Sequence, residues 1–530
     1  MFAVPRGKFG TNFIKELSRL IYLFVDKTKW NRMALDLAHI FIPIMLQKPS
    51  SKSKAKLHAE LLGQRLEKWK NGDIKSLLKE CKDIQARLSK QLNAQKESNH
   101  KAFCRLMFAG KVGQAIRFIN NDDTIAGVHE LNNEVKSILT DKHPVGEEAD
   151  EEVLLKITDE PPSPVIFEAI SAENVKAAIM DLNGSGGPTL VDTDIWKHLI
   201  CSRYFNKASD TLADAIAGLA KRLCQENIGP ECLKAFTASR LIPLDKGTSP
   251  SGQLGVRPIG IGEVLRRIVG KCVVKFLRAD IQQAAGTLQT CAGLKSGIEA
   301  AIHATRRIWD NEETEALLQV DADNAFNRLN RKVALHNIRE ICPPFYQFLA
   351  NHYQVPSKLI INTNTGRDEL LSQEGSTQGD VAAMAKYALG VTPLINTLGD
   401  AVDKDFCKQV WYADDSSALG KLKELLVWWN ILYKEGPKYG YYPKPSKTVL
   451  IIKGTALLPE ATMLFAGTGI TISCEGERHL GAVIGSTHFR EQYVKNKVET
   501  WVKDIQDLSQ IATEEPQAAL SAYTKGLCHR

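Results

Sequence analysis

The tetrapeptide Tyr412-Ala413-Asp414-Asp415 constrains this chain more than any other stretch. Apolar Val410 and Trp411 precede it, and the small residues Ser416, Ser417 and Ala418 follow. That pattern predicts strand, tight turn and strand, with both carboxylates at the turn. Adjacent Asp residues held in a turn repel one another unless cations lie between them, so the arrangement points to divalent metal. For an isolated tetrapeptide a solvated surface turn is the better reading, because Asp is favoured in turns for its own backbone hydrogen bonding.

Other segments give the turn a context. Ala316-Leu317-Leu318-Gln319-Val320 predicts a buried strand ending in the carboxylate of Asp321, with the aromatic Phe326 five residues later. Gln373 to Asp380 is a Gly-bracketed polar loop that opens onto the helical-looking stretch Val381 to Ala385. In this order the segments resemble the palm of a reverse transcriptase. The resemblance extends to Gly440–Lys447, which is similar to the stretch carrying the palm lysine, and to His479-Leu480-Gly481, which resembles the primer grip. Arg240–Lys246 and Gly255–Ile259 resemble the fingers. Each motif is short and weak alone; their shared order is the specific signal.

The resemblance implies an α+β fold: a right-hand polymerase with fingers and an antiparallel palm sheet, after a mostly helical N-terminal region. It implies two Mg²⁺ ions, with Mn²⁺ as an alternative, bridged by Asp321 and Asp414, and Asp415 contacting metal less directly. Phe326 would sit beneath the sugar and collide with a ribose 2′ hydroxyl. Lys246 and Arg257 would neutralise triphosphate charge, Arg through paired donors and Lys as a point charge. Gln378 and Gly379 would line the nucleotide and template pocket, Lys447 would act as general acid toward pyrophosphate, and Leu480 and Gly481 would form the primer grip. The implied partners are an RNA template, a DNA primer and deoxynucleoside triphosphates. Plainer roles exist for several of these residues: Phe326 as a core side chain, Lys246 and Lys447 as solvated surface groups. Asp380 departs from the pattern, in which a Pro commonly lies near, and is expected to add negative charge beside the nucleotide.

The function read from these residues is RNA-directed DNA polymerisation of retrotransposon type. An RNA-directed RNA polymerase is an alternative, against which Phe326 and Ala413 both speak. A domesticated nucleic-acid-binding relic without catalysis is another.

A net charge of +7 is compatible with a polyanionic partner without demanding one. The eleven cysteines are dispersed without a Cys-x-x-Cys pair, which fits reduced thiols in an intracellular protein, nucleus or cytoplasm left open. Leu20–Val25 and Phe41–Leu46 are apolar but too short to span a bilayer, so no membrane association is expected. Residues 48–101 carry 14 Lys and Arg, with apolar residues at near-helical spacing, which predicts basic amphipathic helices. Composition divides the chain into a helical, partly basic region 1–143, an acidic Pro-rich connector 144–164 that is mobile or extended, fingers and palm over 165–485, and a partial helical thumb over 486–530. The brevity of that last part suggests either that further functions sit on other chains or that the sequence is a fragment of a larger retroelement polyprotein.

Overall fold

Phe13, Leu17, Ile21 and Phe24 recur at helical spacing, and in the computed structural model they bury one face of the helix Lys8–Val25. The structure describes residues 1–49, 55–91, 103–104, 106–107, 115, 127–158, 160–248, 252, 254–363 and 366–529. Helix Lys8–Val25 packs on helix Lys207–Gln225, whose Leu212, Ile216, Leu219 and Leu223 complete the contact. The same core continues through Ala34–Leu46 into helices Val264–Phe276 and Pro343–Tyr353. The apolar N-terminal stretches are therefore core helices. Among the described residues no helix is long and apolar enough to cross a membrane.

In chain order the strands are β1 Ser239–Thr248, β2 Leu254–Gly262, β3 Ala316–Val320, β4 Ser357–Asn362, β5 Arg367–Ser372, β6 Cys407–Tyr412, β7 Asp415–Gly420, β8 Val449–Ile452, β9 Thr471–Ser473, β10 Gly476–His479 and β11 Ala482–Gly485. A four-stranded sheet has the order β2-β1-β4-β5, with β1 and β2 paired antiparallel. The antiparallel sheet expected around the Asp-Asp turn has five strands in the order β6-β7-β3-β8-β9, and only its β8–β9 edge is parallel. Its inner face is filled by Leu318, Val320, Trp411 and Ala418 against Tyr387, Val391, Trp428 and Leu432. The small residues of β7 are explained by this: Ser416, Ser417 and Ala418 are buried in a central strand with neighbours on both sides. β10 and β11 form a separate hairpin.

The division at 143/144 is not a division between cores. Beyond the helices already described, Val135 and Leu139 of helix Asn133–Asp141 pack against Leu241, Val256, Leu359 and Ile361, covering one face of the four-stranded sheet. The acidic connector is extended and held along its length. Glu147 N–H donates to Glu374, Asn330 Nδ2 to Glu148 O, Asn337 Nδ2 to Val153 O and Leu155 N–H to Asn337 Oδ1. Val153 is buried in the core of the five-stranded sheet. Of the two expectations for this connector, mobile or extended, the second describes it: acidic and Pro-rich sequence disfavours self-packing, and polar side chains of neighbouring segments satisfy its backbone.

The basic segment forms helices Ala55–Lys70 and Ile74–Gln91, which bury Leu62, Leu66, Trp69 and Leu77. Arg65 points inward and donates to Met45 O, Gln47 O and Glu80. The sequence predicts one helix over about 262–283; the structure has two, Val264–Phe276 and Arg278–Ala285, meeting at Leu277. The sequence also predicts a helix over Lys111–Ile119, which lies outside the described residues apart from Ala115. At the C-terminus, helices Thr487–Ala512 and Pro516–Lys525 form as the spacing predicts. Leu508 is buried, against Phe103 and Met107, whereas Val494, Val498, Trp501, Val502 and Ile505 face solvent.

Candidate active site

The turn between β6 and β7 has two residues, Ala413 and Asp414, because Tyr412 pairs with Asp415. Such short hairpin loops need a left-handed first residue, and Ala413 has φ 56°. A non-glycine residue there is strained and persists only when its surroundings hold it. Gln289, fully buried, does so: its Oε1 accepts Ala413 N–H at 2.8 Å and its Nε2 donates to Ala413 O at 3.1 Å. Tyr441 Oη adds a bond to Asp414 O at 3.0 Å.

β3 and β7 pair with Val320 opposite Ser416, so one further step sets Asp321 beside Asp415. The carboxylates of Asp321 and Asp414 line a cleft of about 750 Å³ between the two larger sheets. Asp415 does not line it. Its carboxylate is accessible from outside but surrounded by protein at longer range, and burial with the charges of Asp414 and Asp321 pushes its pKa up to about 6. Asp414 is also raised, by burial first and by Asp321, against the pull of Arg257 and Lys246. The carboxylates thus destabilise one another's charged forms, which is the electrostatic condition a bound cation relieves.

Cations line the same cleft. Lys246 projects from β1 and Arg257 from β2, both exposed and both on the cleft. Lys447 reaches Asp321 Oδ2 at 3.2 Å. It is carried there because Tyr442–Lys444 runs beside Asp321–Asp323, with Asp323 N–H donating to Tyr442 O and Lys444 N–H to Asp321 O. Lys447 therefore meets a carboxylate in this state, a different contact from the leaving-group role expected of it.

Phe326 lies on the short helix Ala325–Arg328, lines the cleft and stacks on Tyr387 with ring centroids 4.6 Å apart. One face of the ring packs on the core while the residue borders the cleft. The loop that carries Gln378 and Gly379 closes over it. Gly375 has φ 58°, and a Cβ there would overlap the carbonyl of Phe326; Gly379 has φ 103°, and a Cβ would overlap the carbonyl of Gly260. Only glycine fits either position. From beneath, Arg331 donates to Ser372 O, Glu374 O and Gly375 O, and the buried Lys386 ammonium donates to Gly375 O and Ser376 Oγ.

Asp380 does not charge the cleft as expected. Its carboxylate is buried in an ion pair with Arg266, accepts from Tyr353 Oη at 2.7 Å and accepts Ala382 N–H at 2.9 Å. Arg266 and these donors hold its pKa below the usual range in spite of burial. Leu480 and Gly481 form the two-residue turn of the β10–β11 hairpin, with φ 49° and 93°. Arg478 O of that hairpin accepts from Gln319 Nε2 on β3, which docks it beside the five-stranded sheet.

Sequence reasoning misses three residues here. Asp323 lines the cleft and is paired with Arg328 and Lys444; its spacing two residues after Asp321 is the signal that would have found it. Gln289 and Lys142, the latter also on the cleft, give no local signal. Among the described residues no three His, Cys, Asp or Glu side chains cage a metal by themselves.

No protein-family model matches the sequence, and no curated protein matches it. Among solved structures, an apo telomerase from Candida Tropicalis, truncated from its C-terminal domain, is similar at 14% identity with a TM-score of 0.32. The match covers 41% of this chain and 50% of that one, so this chain spans about half the length of that structure.

Proposed function

We propose that this chain is a nucleotidyl-transferring polymerase of reverse-transcriptase type, joining deoxynucleotides to a primer 3′ hydroxyl on an RNA template. The observation that carries the reading is one cleft lined together by Asp321 and Asp414, by Lys246 and Arg257, and by Phe326, Gln378 and Gly379. In this reading the five-stranded sheet is the palm, the four-stranded sheet belongs to the fingers, and the β10–β11 hairpin with Leu480 and Gly481 is the primer grip. Asp321 and Asp414 would hold Mg²⁺, or Mn²⁺, with Asp415 raising the local negative charge. Bound there, a divalent ion pair supplies Lewis-acid stabilisation of the attacking and leaving oxygens.

The protein's own groups do the rest. Lys246 and Arg257 neutralise the triphosphate and orient it by charge-assisted hydrogen bonds. The backbone of Gly379 lets the substrate approach closely, because no Cβ intervenes. Phe326, backed by Tyr387, closes the space a 2′ hydroxyl would need. Lys447, released from Asp321 when the carboxylate is engaged elsewhere, is free to donate a proton to departing pyrophosphate.

Primer extension by the purified chain on an RNA template, with and without Mg²⁺, tests the reading. Extension that requires the metal and is lost in both Asp321→Asn and Asp414→Asn is the expected result. Template binding without any extension by the unmodified protein would support the relic alternative instead.

A further inference from the structure

The cleft has a wall that the motif order does not account for. It is built by the C-terminal end of helix Asn133–Asp141 and the residues after it: Ile138, Asp141, Lys142 and Pro144. The Lys142 backbone is fixed to the turn that follows Asp321. Its carbonyl accepts from Asn324 Nδ2 at 2.9 Å and from Asn327 Nδ2 at 3.0 Å, and Asn327 also donates to Asn324 Oδ1. These asparagines flank Phe326, so Lys142 is held in register with the floor of the cleft.

Its side chain is half-buried and has no carboxylate within ion-pairing distance among the described residues. Burial depresses its pKa, and the charges of Lys246, Lys447 and Arg257 add to the effect against the opposite pull of Asp323. Asp323 is already engaged by Arg328 and Lys444. Of the cations on the cleft, Arg328 is paired with Asp323 and Lys447 with Asp321, whereas Lys142, Lys246 and Arg257, from three separate segments, have no carboxylate within ion-pairing distance among the described residues. Holding like charges together costs free energy unless an anion occupies the space between them.

We propose that Lys142 is a polyphosphate-binding residue, contributed by the N-terminal region, that contacts the triphosphate tail of a nucleotide jointly with Lys246 and Arg257. The proposal rests on the polymerase reading for the identity of the ligand, though not for the existence of the anion site. It makes residues 133–144 part of the substrate pocket.

The test measures binding of inorganic tripolyphosphate to the full chain without metal, by calorimetry, alongside nucleotide kinetics. Lys142→Gln should weaken tripolyphosphate at least tenfold and raise KM for nucleotide by a similar factor with kcat little changed, while Lys142→Arg restores both. Lys136→Gln, on the same helix but paired with Asp368 at the surface, serves as control. Without ligand, Lys142→Gln should melt no lower than the parent, because it removes repulsion; a lower melting temperature would mean a structural role and overturn the proposal. Unchanged tripolyphosphate binding in Lys142→Gln, or no binding by the parent, overturns it too. A Lys142-dependent anion site in a protein that never extends a primer would uphold the inference while the polymerase reading fails. Extension with KM indifferent to Lys142 would do the reverse.

Discussion

At the residue scale, the side chains around the cleft carry more than one duty, and their substitutions separate the duties. Phe326 both stacks on Tyr387 and borders the cleft. Phe326→Ala should therefore raise ribonucleotide incorporation relative to deoxynucleotide by about tenfold or more, since overpacking by a group of this size costs roughly 1–3 kcal/mol. Competition assays with matched nucleotide pairs measure the ratio, and an unchanged ratio would reduce Phe326 to a packing residue. His352 gives a pH prediction. It is fully enclosed between Phe236 and Phe348, its Nδ1–H donates to Phe348 O, and its Nε2 has no partner among the described residues. Burial first, then Arg266, lowers its pKa from 6.5 to about 4, with Asp380 opposing. The unfolded chain then binds the proton that the folded chain refuses. Stability is retained above about pH 6.5 and lost as pH falls toward 4, at no more than about 1.4 kcal/mol per pH unit from this group. Denaturant midpoints at pH 7 and pH 5 should differ less in His352→Gln than in the parent.

At the element scale, the β6–β7 hairpin is held in a conformation its own sequence does not favour. Ala413 sits at positive φ, and the clamp that keeps it there is Gln289, on a segment that runs beside β6 without joining it as a named strand. Gln289→Leu keeps the bulk but leaves the Ala413 N–H and C=O buried without their partner. Each such group costs roughly 1–3 kcal/mol. Stability should fall by about that much, and extension should fall further than stability explains, because the turn carries Asp414. Equal activity per folded molecule, by extension rates normalised to the folded fraction, would show that the clamp matters to folding alone. The YxDD pattern was legible because alternation and turn chemistry are local properties. Gln289 was not, because a Gln in a polar stretch looks like any solvated side chain until the strand it serves is folded beside it.

At the scale of the whole molecule, the N-terminal region is built into the rest. Helix Lys8–Val25 covers helix Lys207–Gln225, and helix Asn133–Asp141 covers the four-stranded sheet. A fragment of residues 165–485, the portion that composition marks out as fingers and palm, should therefore be insoluble or lack cooperative unfolding, since it exposes a large apolar face. Circular dichroism melts of the fragment check this, and a sharp transition like that of the full chain would refute it. For the same reason limited proteolysis should spare 144–158, whose backbone is hydrogen-bonded to neighbouring helices.

The sequence by itself determined the mixed α and β character, the Asp-Asp hairpin and the set of polar residues worth placing in a site. Those features rest on periodicity, capping and turn propensity, which act over a few residues. Tertiary structure alone decided that Asp380 is neutralised by Arg266, that the acidic connector is pinned rather than loose, and that Lys142, 182 residues before Asn324, reaches the same cleft as Asp321. Each of these depends on which distant groups meet, and a charge or a backbone amide shows its role only once its partner is packed against it.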